Sequence, residues 1–139
     1  MDLRVESQPD PQFAAVLAER VRRDAVLRSG LADEVDLAVL AYDGDRLVAG
    51  MCGWTWGGCG EVESLWVEPA QRGCGLGRQL LLTAERETMA RDCRLMVAFT
   101  HDHQAPGFYE RCGYELVGRV DGYPAGSAAH WFRKRLGET

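Results

Sequence analysis

The sequence predicts an α/β fold: a mixed central β-sheet flanked by helices on both faces, in the order β-α-β-β-β-α-β-α-β-β. Three observations lead there. Apolar–polar alternation recurs in short runs bounded by glycine-containing turns, as strands require. Longer stretches with an apolar period near 3.6 residues interrupt those runs. Between one such strand and one such helix lies Arg72-Gly73-Cys74-Gly75-Leu76-Gly77-Arg78, a loop of alternating glycines.

Taken in order, residues 2–6 read as a short strand. Pro9-Asp10-Pro11 then opens a helix, with Asp10 as N-cap and Pro11 in the first helical position. Phe13, Val16, Leu17, Val21 and Leu27 give that helix a rough apolar stripe, and Ser29-Gly30 stops it. Its arginines at 20, 22, 23 and 28 read as a solvated face. Three strands follow at 36–42, 46–56 and 61–67, joined by a hairpin at Asp43-Gly44-Asp45 and a turn at Gly57-Gly58-Cys59-Gly60. Alternation sets Trp54 and Trp56 on one face, either as core or as an aromatic wall of a substrate pocket.

A helix is expected from about 75 to 91, with Leu76, Leu80 and Ala84, and Leu81 beside them, packed on the sheet. Glu87 and Arg91 should pair across one turn of its outer face. Residues 94–100 form the next strand, with Leu95, Val97 and Phe99 on one side. A short helix spans 105–112 and ends at Gly113. Strands at 114–120 and 129–135 close the chain.

Composition bounds the partners. With 139 residues, 46% hydrophobic and 27% charged, the chain reads as one globular domain, residues 1–139, with a core of its own. A net charge of −5 argues against general nucleic-acid binding and against anionic membrane surfaces, and it suits a cationic substrate. The charged start Met1-Asp2-Leu3-Arg4-Val5-Glu6 does not read as a leader, and no apolar run approaches membrane length. Five widely spaced cysteines with no C-x-x-C fit reduced thiols and a cytoplasmic location.

The glycine loop carries the chemistry. Glycine takes positive φ and lets a ligand approach the backbone closely. The helix start beyond it leaves N–H groups unpartnered at the positive end of the dipole. Together they make an anion site, most often for phosphate. Arg72 enters the loop, and Arg78 sits in the first helical turn, where the dipole disfavours a cation unless an anion lies between. A plain tight turn is the competing explanation, but it rarely needs three glycines and two arginines. The P-loop pattern is absent, and the dinucleotide fingerprint fails because Arg78 and Leu80 stand where its third glycine belongs.

What fits is R-x-x-G-x-G, read as Arg72-Gly73-Cys74-Gly75-Leu76-Gly77, which resembles the acyl-CoA loop of the GCN5-related N-acetyltransferases (GNAT). Downstream, Gln104-Ala105-Pro106-Gly107-Phe108-Tyr109-Glu110-Arg111-Cys112-Gly113-Tyr114 resembles that family's A-x-x-F-Y-E-x-x-G-[FY] segment. Each motif is of moderate specificity. Both in this order, about 35 residues apart with a helix and a strand between, are strongly specific, and the resemblance spans roughly residues 37–135.

The resemblance implies a GNAT-like sheet, acetyl-CoA as co-substrate, and transfer of its acetyl group to a primary amine by direct attack in a ternary complex. The expected acceptor is a small molecule such as an amino acid, a polyamine or an aminoglycoside-like compound. The alternatives are a protein or peptide N-acetyltransferase and a non-catalytic acyl-CoA-binding module. By the same analogy the region near Gly30 borders the acceptor pocket, and the last two strands, including Trp131, are a candidate homodimer interface.

Roles follow residue by residue. Arg72, Gly73, Cys74, Gly75, Leu76, Gly77 and Arg78 are assigned to the pyrophosphate, and Leu65, Trp66 and Val67 to the pantetheine arm through their backbone, as if the arm were an added strand. A main-chain N–H near Val67 is the oxyanion donor. Tyr109 is the general acid, turned toward the cleft while Phe108 turns inward. A phenol titrates near ~10 and a thiol near ~8.5, so the phenol is protonated at neutral pH.

The base is Glu63, nearer the thioester, or Glu61, the two sharing a face if no bulge intervenes. His101, His103 and water compete for that role. Asp102 stands where the family carries an asparagine that holds the cofactor arm, which puts that contact in doubt. His101-Asp102-His103 lacks a clear third ligand, so no metal is expected. Neither Cys74, placed for the pyrophosphate, nor Cys112, without an activating histidine, is expected to carry the acetyl group.

Overall fold

The computed structural model describes residues 1–101 and 106–137, in two compact units, Met1–Ala32 and Asp33–Thr139. In the first unit, helix α1 (Pro11–Ser29) starts as the sequence requires. The Asp10 carboxylate accepts the Gln12 N–H at 2.9 Å, and Pro11 takes the first turn, where its missing N–H costs nothing. Gly30, at φ 75°, closes the helix by donating to the Val26 carbonyl at 2.8 Å. The strand expected at 2–6 does not form. Leu3 and Val5 are its only apolar residues besides Met1, too few to offset ordering a strand, and Arg4 pairs locally with Asp2 at 2.9 Å.

The second unit is a six-stranded sheet: β1 (Val35–Asp43), β2 (Arg46–Trp56), β3 (Cys59–Val67), β4 (Leu95–His101), β5 (Glu115–Asp121) and β6 (Ala128–Arg135). The order across it is β1-β2-β3-β4-β6-β5, mixed because β3 and β4 run parallel while every other pair is antiparallel. A parallel pair needs a crossover, and helix α2 (Leu76–Ala90) supplies it. Helix α3 (Pro106–Arg111) lies between β4 and β5 in the chain.

The core forms on one face. Leu80, Leu81, Ala84 and Thr88 of α2 are buried, and Leu81 and Ala84 join Leu37, Met51, Val62, Met96, Ala98 and Phe132 from five strands. Burying each large apolar side chain contributes about 1.5–3 kcal/mol. Glu87 and Arg91 pair at 3.2 Å, not on an outer face as expected, since Arg91 also reaches the sheet and donates to the Asp36 carbonyl at 3.0 Å and the Thr55 hydroxyl at 3.2 Å. Tyr109 of α3 belongs to the same cluster, so α2 and α3 cover the same face, here called the inner face. Alternation sends Trp54, Phe99 and Trp131 to the outer face, where each keeps some exposure.

Candidate active site

Two strands that start as neighbours are forced apart, and the cause lies in β2 and β3. Cys52 stands opposite Ser64, but the next residue, Gly53, stands opposite Val62, so Glu63 has no counterpart. This is a β-bulge. It fits only because position 53 is glycine, since a Cβ there would lie 1.8 Å from the Glu61 carbonyl oxygen. The bulge flips the alternation. Val62, Leu65 and Val67 face inward, whereas Glu61 and, beyond the extra residue, Ser64 and Trp66 face outward. Glu61 and Glu63 therefore do not share a face by simple alternation.

Pairing between β3 and β4 covers Cys59–Val62 against Leu95–Ala98 and then stops. Past that point β3 stays paired with β2 to Val67, and β4 stays paired with β6 to His101. The result is a fork, one arm Glu63–Val67 and the other Phe99–His101. The Glu68 N–H donates to the Val48 carbonyl at 2.8 Å, across the β2 side. Antiparallel alternation then turns the main-chain groups of Val67 and Leu65 to the fork and those of Trp66 to β2. Arg72 Nε donates to the Val67 carbonyl at 2.8 Å, as that orientation requires. Of the three residues expected to offer backbone groups, Leu65 and Val67 are so placed and Trp66 is not.

The arm leads into a 3-10 turn, Pro69–Gln71, and then the glycine loop. Gly73 (φ 81°) and Gly75 (φ 86°) have no atom within 4 Å of where a Cβ would sit, so backbone conformation alone calls for glycine there. Gly77 differs. It lies in the first turn of α2, and a Cβ would approach the Phe108 ring to 3.3 Å and Val67 to 3.5 Å, so it brings the two sequence motifs together. Gly75 at the N-cap has no side chain to cap α2, and the helix's first turn contains no acid. The Cys74 thiol donates to the Gln71 carbonyl at 2.8 Å, away from the helix start. Leu76 is half-buried, while Arg72 and Arg78 are exposed beside the uncapped turn. Arg46 pairs with Glu68 at the base of the loop, and Glu68 Oε2 is buried without a hydrogen-bond partner among the described residues.

Tyr109 is placed differently from expectation. Its ring is 5% exposed, stacked on Phe132 at 5.6 Å and edge-on to Phe108 and Tyr114, while Phe108 is only half-buried. The inward residue is thus the tyrosine, because the short helix packs that position onto the core. Burial, then the Cys112 thiol, pushes its phenol up to about 12. No hydrogen bond holds its hydroxyl among the described residues, and that oxygen is not among the sealed, unpartnered ones. Burial and then the charge of Glu63 raise the Glu61 carboxyl, whereas Glu63 itself is exposed at the bulge. Asp102 and His103 lie outside the described residues; His101 ends the β4 arm. Burial raises the Cys112 thiol, against nearby Arg78 and other cations, which disfavours a reactive thiolate. Among the described residues no three His, Cys, Asp or Glu side chains gather as metal ligands.

Sequence reading missed one network altogether. Glu85 of α2, 4% exposed, accepts from the Tyr114 hydroxyl at 2.9 Å and from Lys134 Nζ at 2.8 Å. Lys134 also donates to the Cys112 carbonyl at 2.9 Å. This ties α2, the end of α3 and β6 together behind Tyr109. Glu85, Tyr114 and Lys134 are far apart in the chain, so no local pattern announces them.

Comparison with known proteins adds the family. The model of the acetyltransferase (GNAT) family matches residues 3–114. A blasticidin-S acetyltransferase from Streptomyces morookaense is 40% identical over 97 residues, covering 66% of this chain and 68% of that protein. A crystal structure from Agrobacterium tumefaciens, assigned as an acetyltransferase, superposes with a TM-score of 0.88 at 27% identity, covering 98% of this chain and all of the other. An aminoglycoside 6'-N-acetyltransferase solved with coenzyme A shares the fold, with a TM-score of 0.68 at 18% identity over 100% of this chain and 99% of its own.

Proposed function

The chain belongs to the acetyltransferase (GNAT) family, and on that premise we propose that it moves an acetyl group from acetyl-CoA to a primary amine of a small molecule, by direct attack within a ternary complex. One observation carries the reading: the fork between β3 and β4 opens beside an uncapped helix start with no acid in its first turn. The uncapped N–H groups of α2, with Arg72 and Arg78, suit a diphosphate. The fork-facing main chain of Leu65 and Val67 suits an extended amide-bearing arm, which would add to the open edge of β3 as a strand adds to a sheet.

The acceptor amine reaches the fork from the outer face, where Glu61 lies. A carboxyl raised by burial and by Glu63 is a better proton acceptor than an ordinary glutamate, so Glu61 takes the proton from the ammonium and Glu63 attracts the cation at the mouth. The free amine attacks the thioester carbon, and the Val67 N–H stabilises the oxyanion. The C–S bond then breaks, the departing thiolate takes a proton from Tyr109, whose phenol stays protonated well above neutral pH, and the nitrogen of the new amide sheds its second proton, which restores the phenol through solvent. The Glu85–Lys134–Tyr114 network holds the end of α3 and so fixes the Tyr109 ring.

The test is titration with coenzyme A, alongside thiol release from acetyl-CoA over a panel of amines. The parent chain should bind and turn over; Gly75→Val, which forces a β-branched residue to φ 86°, should bind at least about tenfold more weakly. Equal binding by both, or none by the parent, would overturn the assignment.

A further inference from the structure

The β4 arm of the fork carries a surface cluster of rings that the acetyl-transfer chemistry leaves unused. Phe99 lies 4.8 Å from Trp131 and 5.2 Å from His101, and His101 lies 4.6 Å from Tyr123, centroid to centroid. His101 Nδ1 stands 3.2 Å from the Tyr123 carbonyl oxygen, which fastens the β5–β6 loop to the tip of the arm. Trp131 is nonetheless 39% exposed and Tyr123 53% exposed. Rings that pack on one another yet keep this much surface open offer their remaining faces to something else.

Their register fixes what lies beside them. Trp54, Glu61 and Val97 form one row across the outer face, each opposite the next in the pairing of β2, β3 and β4. Phe99 and His101 follow Val97 on the same face at steps of two and four residues along β4. At about 3.3 Å per residue, the ring surface begins about 7 Å from the Glu61 row and extends to about 13 Å. The Glu61 carboxylate at one end and open aromatic faces at the other complement a cationic amine joined by a short arm to a planar ring. Arg133, the cation opposite Val97 in this row, is paired with Glu115 at 2.5 Å.

We propose that Phe99, Tyr123 and Trp131 form an acceptor subsite that selects amines tethered to a planar aromatic ring over aliphatic amines of the same charge and size. This rests on the acetyl-transfer reading for its placement, but it concerns recognition and is measurable apart from turnover.

The probes are tryptamine and 2-(octahydro-1H-inden-1-yl)ethylamine, its saturated bicyclic counterpart, compared by thiol release from acetyl-CoA and by calorimetric binding. The parent should favour tryptamine about tenfold in kcat/KM, equivalent to about 1.4 kcal/mol. In Trp131→Leu and Tyr123→Leu that ratio should fall toward one, with KM for acetyl-CoA within twofold of the parent as the sign of an intact fold. A parental ratio near one, or a preference that survives both substitutions, overturns the proposal. So does a concentration-dependent dimer that Trp131→Leu abolishes without changing the ratio, since the rings would then be an interface between copies. If neither amine is acetylated yet tryptamine binds in a Trp131-dependent way, the subsite stands and the catalytic reading falls. If tryptamine does not bind, the subsite is refuted.

Discussion

Replacing Gly53 with alanine tests the cause of the fork most directly. The new Cβ would start 1.8 Å from the Glu61 carbonyl oxygen, and contacts under 3.0 Å are essentially never seen, so β2 and β3 must separate by at least about 1.2 Å. The obstacle is backbone on both sides, so no side chain can turn away. A ladder bond of ~2.9 Å stretched by that amount exceeds 4 Å and is lost. Overpacking costs about 1–3 kcal/mol, and two forfeited ladder bonds add about 1 kcal/mol each. The sum is about 3–5 kcal/mol. At roughly 4 °C per kcal/mol for a chain of this size, Gly53→Ala should melt about 12–20 °C below the parent. The same displacement moves Glu61 and the Leu65–Val67 arm, and a 1 Å misplacement of reacting groups can cost about 100-fold in rate. Scanning calorimetry and thiol release measure the two effects. A variant that melts within about 3 °C of the parent, with its rate intact, would show that the bulge is not held by the missing side chain.

The remaining expectations concern α3 and its supports. Tyr109→Phe keeps the ring stack and removes only the hydroxyl, so kcat should fall about 10²- to 10⁴-fold while KM for acetyl-CoA and the melting temperature hardly move; a loss under threefold would assign the proton to another donor. Lys134→Met strips Glu85 of its cation inside the core, and because Lys134 keeps a quarter of its side chain exposed the cost should be about 2–3 kcal/mol, below that of a sealed pair, as read by urea unfolding. Alkaline stability follows from linkage. Tyr109 and Cys59 are held protonated to about 12 and about 11 in the folded chain, against 10.0 and 9.0 unperturbed. The unfolded chain sheds these protons first, so stability should fall with rising pH from about 9 to about 12 and be indifferent to both groups below that. A flat unfolding free energy across that window would contradict the burial assigned to them.

Much of this architecture can be read directly from residue order, and the exceptions have physical reasons. Asp10-Pro11 and Gly30 bracket α1 because capping is local chemistry, settled within four residues. Gly73 and Gly75 mark the loop because positive φ is written into residue type. Bulges are less legible. Gly53 in mid-strand is a signal for one, but its partner Glu63 emerges only once β2 and β3 are in register. The orientation of Phe108 and Tyr109 is hidden for a related reason: two adjacent residues on a six-residue helix are distinguished only by what packs against them, and Leu81 comes from α2, Phe132 from β6 and Tyr114 from the link between α3 and β5. Residues 2–6 alternate like a strand, but alternation without a pairing partner does not make one.

The division of labour between the sheet's two faces has a consequence for how the chain can be altered. Side chains on the inner face are packed under α2 and α3 and answer to one another, so a change there is felt throughout the fold. Phe99, Tyr123 and Trp131 retain open surface, and none belongs to the cluster beneath the helices. A combinatorial library restricted to those three outward positions would sample new ligands with little loss of folded yield, whereas one drawn from the inner face would return mainly insoluble chains.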